Sequence, residues 1–370
     1  MNKANIKRIV FKFGTNILRN EDGDISLSRL YSFIEDIARL YKQGKEILIV
    51  TSGAVGLGVK KLGMKIPETV VDKQAAASIG QPMLIETWQD GFDKFGINIS
   101  QILLIEDDFS NRKRYLSLRS TLSRLLDAGI IPVINQNDVI LPSELEHVSF
   151  SDNDKLSALV ASKLDADLLV MVSDIDGLFD KNPKEYSDAK LIPVVEKVTS
   201  KIEKLATGAS QGGRGGMITK LNAAKVVTNS GSNAMIVNGL TPGIIRKIFE
   251  EENVGTLFLS NNKLSSKQRW IAYATNVRGE VFVNDGAKAA LIEKQTSLLP
   301  IGITAIKGKF EAGEVVCIFD DKGCEFARGV ANYNSEECEK IIGKHSSEIK
   351  EILGYMQSDD FINKDNLVVL

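Results

Sequence analysis

Two lysines in distant parts of the 370-residue sequence share a local setting. Lys12 sits in a short apolar run, Ile9-Val10-Phe11-Lys12-Phe13, followed by Gly14-Thr15-Asn16. Lys220 closes a glycine-rich stretch that begins at Gly208 and runs through Arg214, Gly215, Gly216, Met217, Ile218 and Thr219. Glycine lets backbone amides come close to an anion, and an ammonium beside them suits phosphate. Between the two lysines lie four polar clusters: Thr51-Ser52-Gly53-Ala54-Val55-Gly56, Asn135-Gln136-Asn137-Asp138, Asp152-Asn153-Asp154-Lys155 and Ser173-Asp174-Ile175-Asp176-Gly177. Their amides and carboxylates could hold an ammonium group and organise a catalytic site. Phosphoryl transfer is the chemistry this combination suits, because it depends on electrostatic clamping more than on covalent catalysis.

Taken singly, each cluster also has a plain structural explanation. Lys12 could be a surface lysine in a strand-turn-helix, and the glycines after Ser52 could ease helix packing. Asp-Gly at 176–177 favours a turn. One Asp or Asn near 152–154 would cap a helix, but three in a row exceed what a cap needs. The glycine spacing fits neither a Walker A loop nor a dinucleotide-binding fingerprint. His147 and His345 have no nucleophile context, which excludes a Ser/His/Asp hydrolase. Cys317, Cys324 and Cys338 read as core or strand residues, and with two histidines they form no zinc pattern or disulfide framework.

The elements that must position these clusters alternate between strand and helix up to about residue 255. Ile47 to Val50 and Leu168 to Val172 are continuous apolar runs, as in strands buried on both faces. Leu30, Phe33, Ile34, Ile37 and Leu40 recur at helical spacing. The expected fold class is α/β, a three-layer α/β/α sandwich on a mainly parallel sheet, with the polar clusters at the carboxyl ends of its strands. Beyond that point a polar Asn261–Gln268 stretch precedes short strands separated by Asn284-Asp285-Gly286, Glu311-Ala312-Gly313 and Asp320 to Gly323. These predict a small β-rich barrel. The expected division is a catalytic domain at 1–260, a linker at 261–275 and a second domain at 276–370.

Lys and Arg number 46 against 48 Asp and Glu, so no global attraction to nucleic acid or anionic membrane is expected. The balance is uneven. Residues 276–370 carry 11 basic and 16 acidic groups, which argues against RNA as a partner of that part. The first residues contain no apolar segment of about 7–15 residues, and no run approaches a membrane span, so a cytoplasmic location is expected.

Several of these segments together resemble a known family. Val10-Phe11-Lys12-Phe13-Gly14-Thr15, Val50-Thr51-Ser52-Gly53-Ala54-Val55, Ile134 to Asp138, Asp152 to Leu159 and Gly215 to Lys220 are similar to the motifs of amino acid kinases. With Ser297-Leu298-Leu299-Pro300, Ala327-Arg328-Gly329 and the tail from Gly343, which resemble a PUA domain, the combination is that of the glutamate 5-kinase branch. The resemblance implies ATP and L-glutamate as substrates and a side-chain acyl phosphate as product, at the first step of proline synthesis. It implies Lys12 and Lys220 as phosphate-clamping catalytic lysines, oriented by Asp154. Ser52, Asp138 and Asn153 would bind glutamate, with Asn135 and Asp152 close by. Lys12, Ser173, Asp174 and the segment Arg214, Gly215, Gly216, Met217, Ile218, Thr219, Lys220 would bind ATP. Mg2+ would be carried on the ATP phosphates, with no metal cage made by the protein. Proline as feedback inhibitor, a homo-oligomer (dimer or tetramer) and hand-over of the acyl phosphate to the next pathway enzyme are further implications. Arg214 stands where the family usually has threonine, and Gln136 where glutamate is common. The resemblance leaves open other amino acid kinases, acting on aspartate, N-acetylglutamate or a nucleoside monophosphate. A non-catalytic sensor on the same scaffold is also open.

Overall fold

A computed structural model describes residues 3–64, 67–140, 153–183, 185–207, 216–250, 253–260, 266–272, 277 and 279–370. The chain forms two compact units, Met1–Lys263 and Leu264–Leu370.

The first unit runs β1 (Arg8–Phe13), α1 (Thr15–Leu18), α2 (Leu27–Lys42), β2 (Glu46–Val50), α3 (Ala54–Lys61), α4 (Val70–Asp93), β3 (Ile99–Leu104), α5 (Asp107–Ser110), α6 (Arg112–Asp127), β4 (Ile131–Gln136), α7 (Asn153–Lys163), β5 (Leu168–Ser173), β6 (Val194–Val195), α8 (Ser200–Thr207), α9 (Met217–Asn229), β7 (Asn233–Asn238), α10 (Ile244–Glu250) and β8 (Thr256–Phe258). The strands form one sheet in the order β3-β4-β2-β1-β5-β7-β8-β6. All neighbours are parallel except β7 and β8, as the unbroken apolar runs predict.

Side-chain alternation on central β1 decides which face each residue serves. Ile9, Phe11 and Phe13 join the core formed with α2 and α4, where the Phe13 ring packs at a tilt against Phe33 and Trp88. Lys12 therefore points to the opposite face, the one covered by α7. Helices on both faces complete the α/β/α sandwich.

β4 extends through Asn135 and Gln136, which pair with Leu103 and Leu104. Their polar side chains are tolerated because the end of β4 opens onto polar groups. α6 begins at Arg112 because the Asn111 side chain accepts from the Arg114 amide.

The second unit contains α11 (Ser266–Ala272), β9 (Gly279–Val283), α12 (Asp285–Glu293), β10 (Ile303–Lys307), β11 (Val315–Phe319), β12 (Glu325–Val330), α13 (Ser335–Ile341), α14 (Ile349–Leu353) and β13 (Leu367–Val369). Its sheet order is β10-β9-β11-β12-β13 around a core that includes Val281, Ile318, Tyr333 and Phe361. Residues 266–272, within the 261–275 stretch expected as linker, form a helix packed on β12 and β13. Trp270, Ile271 and Ala272 are buried there, and their burial outweighs the polar residues before them. Cys317 and Cys338 lie in the core, where burial pushes both thiols up to about 12. Cys324 is exposed in a turn, contrary to the core or strand setting expected. Its amide is held by the Asp320 carboxylate at 2.8 Å.

α3 and α4 cross with almost no side chain between them. A Cβ on Gly58 would overlap the carbonyl of Ala76, and one on Gly80 would overlap the carbonyl of Ala54. Gly58→Ala is expected to lower stability by about 1–3 kcal/mol through overpacking. An unchanged urea midpoint in that variant would reject the tight crossing.

Candidate active site

A cavity of about 460 Å³ opens beyond the carboxyl ends of β1, β2, β4 and β5. At its floor, Asp154, on the first turn of α7, is fully buried between two lysines. Lys12 Nζ of β1 lies 2.6 Å from Asp154 Oδ1, and Lys220 Nζ of α9 lies 3.1 Å from Oδ2. The Thr219 hydroxyl donates to Oδ2 at 2.9 Å. Burial alone would push the Asp154 carboxyl up, but the two ammonium charges hold it well below the usual carboxylate range. Both lysines are buried and both line the cavity. Their ammonium groups are placed to meet an anion entering the cavity.

One side of the cavity is an amide network. Asn153 Nδ2 lies 2.7 Å from the Thr51 carbonyl, 2.8 Å from Ser52 Oγ and 3.0 Å from Asn135 Oδ1. Asn135 Nδ2 donates to Gln81 Oε1 of α4 at 2.8 Å, and Trp88 Nε1 donates to Thr51 Oγ1 at 3.2 Å. These bonds fix the strand ends to α4 and α7. Asp138 lines the same side, and burial pushes its carboxyl up to about 6. It would regain its charge beside a bound ammonium. On the other side, Asp174 Oδ2 accepts from Asn16 Nδ2 at 3.0 Å, and Ser173 Oγ donates to Oδ1 at 3.1 Å. Burial raises the Asp174 carboxyl, but these hydrogen bonds and the charge of Lys220 bring it below its ordinary value.

The amino acid kinase family model matches residues 7–238 of this chain. The chain belongs to the amino acid kinase family. The PUA domain model matches residues 279–353. A glutamate 5-kinase of Caldanaerobacter subterraneus subsp. tengcongensis is 46% identical over 366 residues, covering 98% of this chain and 98% of its own. One from Syntrophotalea carbinolica is 44% identical over 369 residues, covering 99% of this chain and 98% of its own.

In this amino acid kinase, Lys12, Ser52, Asn135, Asp138, Asn153, Ser173, Asp174 and Lys220 all line one cavity, with Asp154 beneath. Gly216 precedes the first turn of α9, which Met217, Ile218 and Thr219 form, and none of the four is among the cavity residues. Thr219, one residue before Lys220 on α9, turns its hydroxyl to Asp154. Asp152, Arg214 and Gly215 lie outside the described residues. Sequence reasoning missed Arg19, which lines the cavity, and the Gln81 and Trp88 supports. Arg19 follows no apolar run and carries no motif, so nothing local marks it.

Asp154→Asn would leave two buried ammonium groups facing one another, at an expected cost of about 3–5 kcal/mol in urea denaturation. A carboxyl held low in the folded state stabilises above its unfolded value. The wild-type advantage should therefore be complete above about pH 4 and shrink as pH falls toward 2. A difference that does not change with pH across that window would contradict the ion-pair account.

Proposed function

We propose that the protein transfers the γ-phosphoryl group of ATP to the side-chain carboxylate of L-glutamate, giving L-glutamyl 5-phosphate and ADP. The observation that carries this reading is the buried Lys12–Asp154–Lys220 group at the floor of a cavity with an amide-lined side and a Ser173–Asp174 side. The names of the full-length relatives support the choice of substrate.

A carboxylate acceptor is already ionised at neutral pH, so the reaction needs no general base. One acceptor oxygen forms a bond to the γ-phosphorus while the bond to the β,γ-bridging oxygen breaks, and ADP leaves with that electron pair. Lys12 and Lys220 neutralise charge on the transferring group and the bridging oxygen. Asp154, poor as a base because its carboxyl is held low, keeps the two ammonium groups in place. Asp138 pairs with the substrate ammonium, and Ser52, Asn135 and Asn153 hold the acceptor by hydrogen bonds. Ser173 and Asp174 lie where the nucleotide would bind. Among the described residues no group of three or more His, Cys, Asp or Glu could hold a metal. Mg2+ would arrive on ATP, held by phosphate and water, and would neutralise phosphate charge.

The same reading places the enzyme at the first step of proline biosynthesis in the cytoplasm, with proline as feedback inhibitor. It includes a homo-oligomeric state and hand-over of the labile acyl phosphate to the next enzyme. No helix among the described residues is long and apolar enough to cross a membrane.

Purified protein should release ADP in a glutamate-dependent manner, with hydroxylamine trapping the acyl phosphate. Turnover with aspartate and none with glutamate would overturn the substrate. Lys220→Met is expected to lower kcat by roughly 10²–10³, the scale of losing one electrostatic donor to a transition state. Because Asp138 is neutral below its value of about 6, the KM for glutamate should rise as pH falls through that value. A KM that stays flat between pH 5 and pH 8 would remove Asp138 as the ammonium partner.

A further inference from the structure

Arg19 is the third cation of the cavity wall, after Lys12 and Lys220, and the one that no carboxylate accompanies among the described residues. Its position is built with care. Leu18 to Ser26 form a tight hairpin, closed by Ser26 N to Leu18 O at 2.8 Å and Asn20 N to Asp24 O at 2.8 Å. Within it, Arg19 Nε donates to the Gly23 carbonyl at 2.8 Å. The guanidinium then lies between two glycines. A Cβ on Gly23 would stand 2.7 Å from Nη2, and one on Gly56 would overlap Nη1. The hairpin is tied to α3 through Lys60, whose Nζ lies 2.6 Å from Asp24 Oδ2 and donates to the Asp22 carbonyl at 3.0 Å. Arg29 Nη1 donates to the Ile17 carbonyl at 2.7 Å, holding the hairpin's base.

This arrangement immobilises the guanidinium through Nε and leaves Nη1 and Nη2 without an acceptor among the described residues. A guanidinium so presented matches a carboxylate through two parallel hydrogen bonds. Arg19 touches Gly56 of α3, which follows β2, so it belongs to the side holding Ser52, Asn135 and Asn153 rather than the Ser173–Asp174 side. An amino acid phosphorylated on its side chain brings a second carboxylate to that side. Lys12 and Lys220 are committed to Asp154 and the transferring group.

We infer that Arg19 is a specificity-determining residue whose guanidinium receives the carboxylate of the amino-acid substrate that is not phosphorylated. This rests on the reading of the cavity as an acceptor site for a dicarboxylic amino acid. Pre-set on its two glycines, Arg19 loses little freedom on binding, so its contribution appears mainly in acceptor affinity.

The test is steady-state kinetics of the full-length enzyme, wild type, Arg19→Met, Gly56→Ala and the double variant, with L-glutamate and with 4-aminobutyrate, which lacks the α-carboxylate. Arg19→Met should raise the KM for glutamate roughly 10- to 100-fold, the scale of a lost charged hydrogen-bond pair. The KM for ATP should stay within about twofold, as should the constant for 4-aminobutyrate as substrate or competitive inhibitor. Gly56→Ala, which displaces the guanidinium, should raise the glutamate KM in the wild-type background and add nothing to Arg19→Met. Melting temperatures confirm that the variants are folded. An unchanged glutamate KM in folded Arg19→Met, or an equal loss for glutamate and 4-aminobutyrate, overturns the inference. Wild-type protein inactive on glutamate would instead overturn the substrate assignment itself.

Discussion

Three buried charged side chains that must meet at one point constrain the whole first unit. Lys12, Asp154 and Lys220 come from β1, α7 and α9, which are far apart in sequence, and meet within 3.1 Å. Desolvating them costs several kcal/mol per ion, and the single carboxylate offsets that only in part. The sheet supplies the rest of the solution. β1 is central, so its neighbours β2 and β5 hold its register on both sides. Asp154 sits in the first turn of α7, where the helix dipole favours a negative charge. Both ammonium groups also line the open cavity, where a bound anion could meet them.

Around that floor the cavity divides its work. The amide side is braced by hydrogen bonds from α4 and α7, so donors and acceptors are aimed before anything binds. A carboxylate acceptor asks little else of the protein than position and charge neutralisation. Asp154 accordingly has structure-keeping electrostatics and no proton to move, and Asp138 keeps a carboxyl that a cationic ligand can ionise.

Much of this was legible from residue order. Glycines and lysines at the ends of apolar runs mark the carboxyl edge of a parallel sheet, and that edge gathers Lys12, Ser52, Asp138, Asn153, Asp174 and Lys220. Side-chain direction was not legible there. Thr219 and Lys220 are adjacent and both reach Asp154, yet only Lys220 is among the cavity residues. Arg19 escaped notice because its place depends on a hairpin and on a glycine in another helix, a relation no local pattern carries. α11 was hidden for the opposite reason, since a polar stretch masked three apolar residues that find a sheet to cover.

The contact between α3 and α4 is backbone on backbone at Gly58 and Gly80. No rotamer at those points can yield, so the two helices are coupled mechanically like parts of one lever. Gly53, in the left-handed conformation at φ +111°, leads directly into α3 and forms part of the cavity wall. Any movement of that wall is therefore carried by all 24 residues of α4 as well, about 36 Å of helix. Stiffness at the wall and displacement at the far end of α4 are two readings of the same pair of missing side chains.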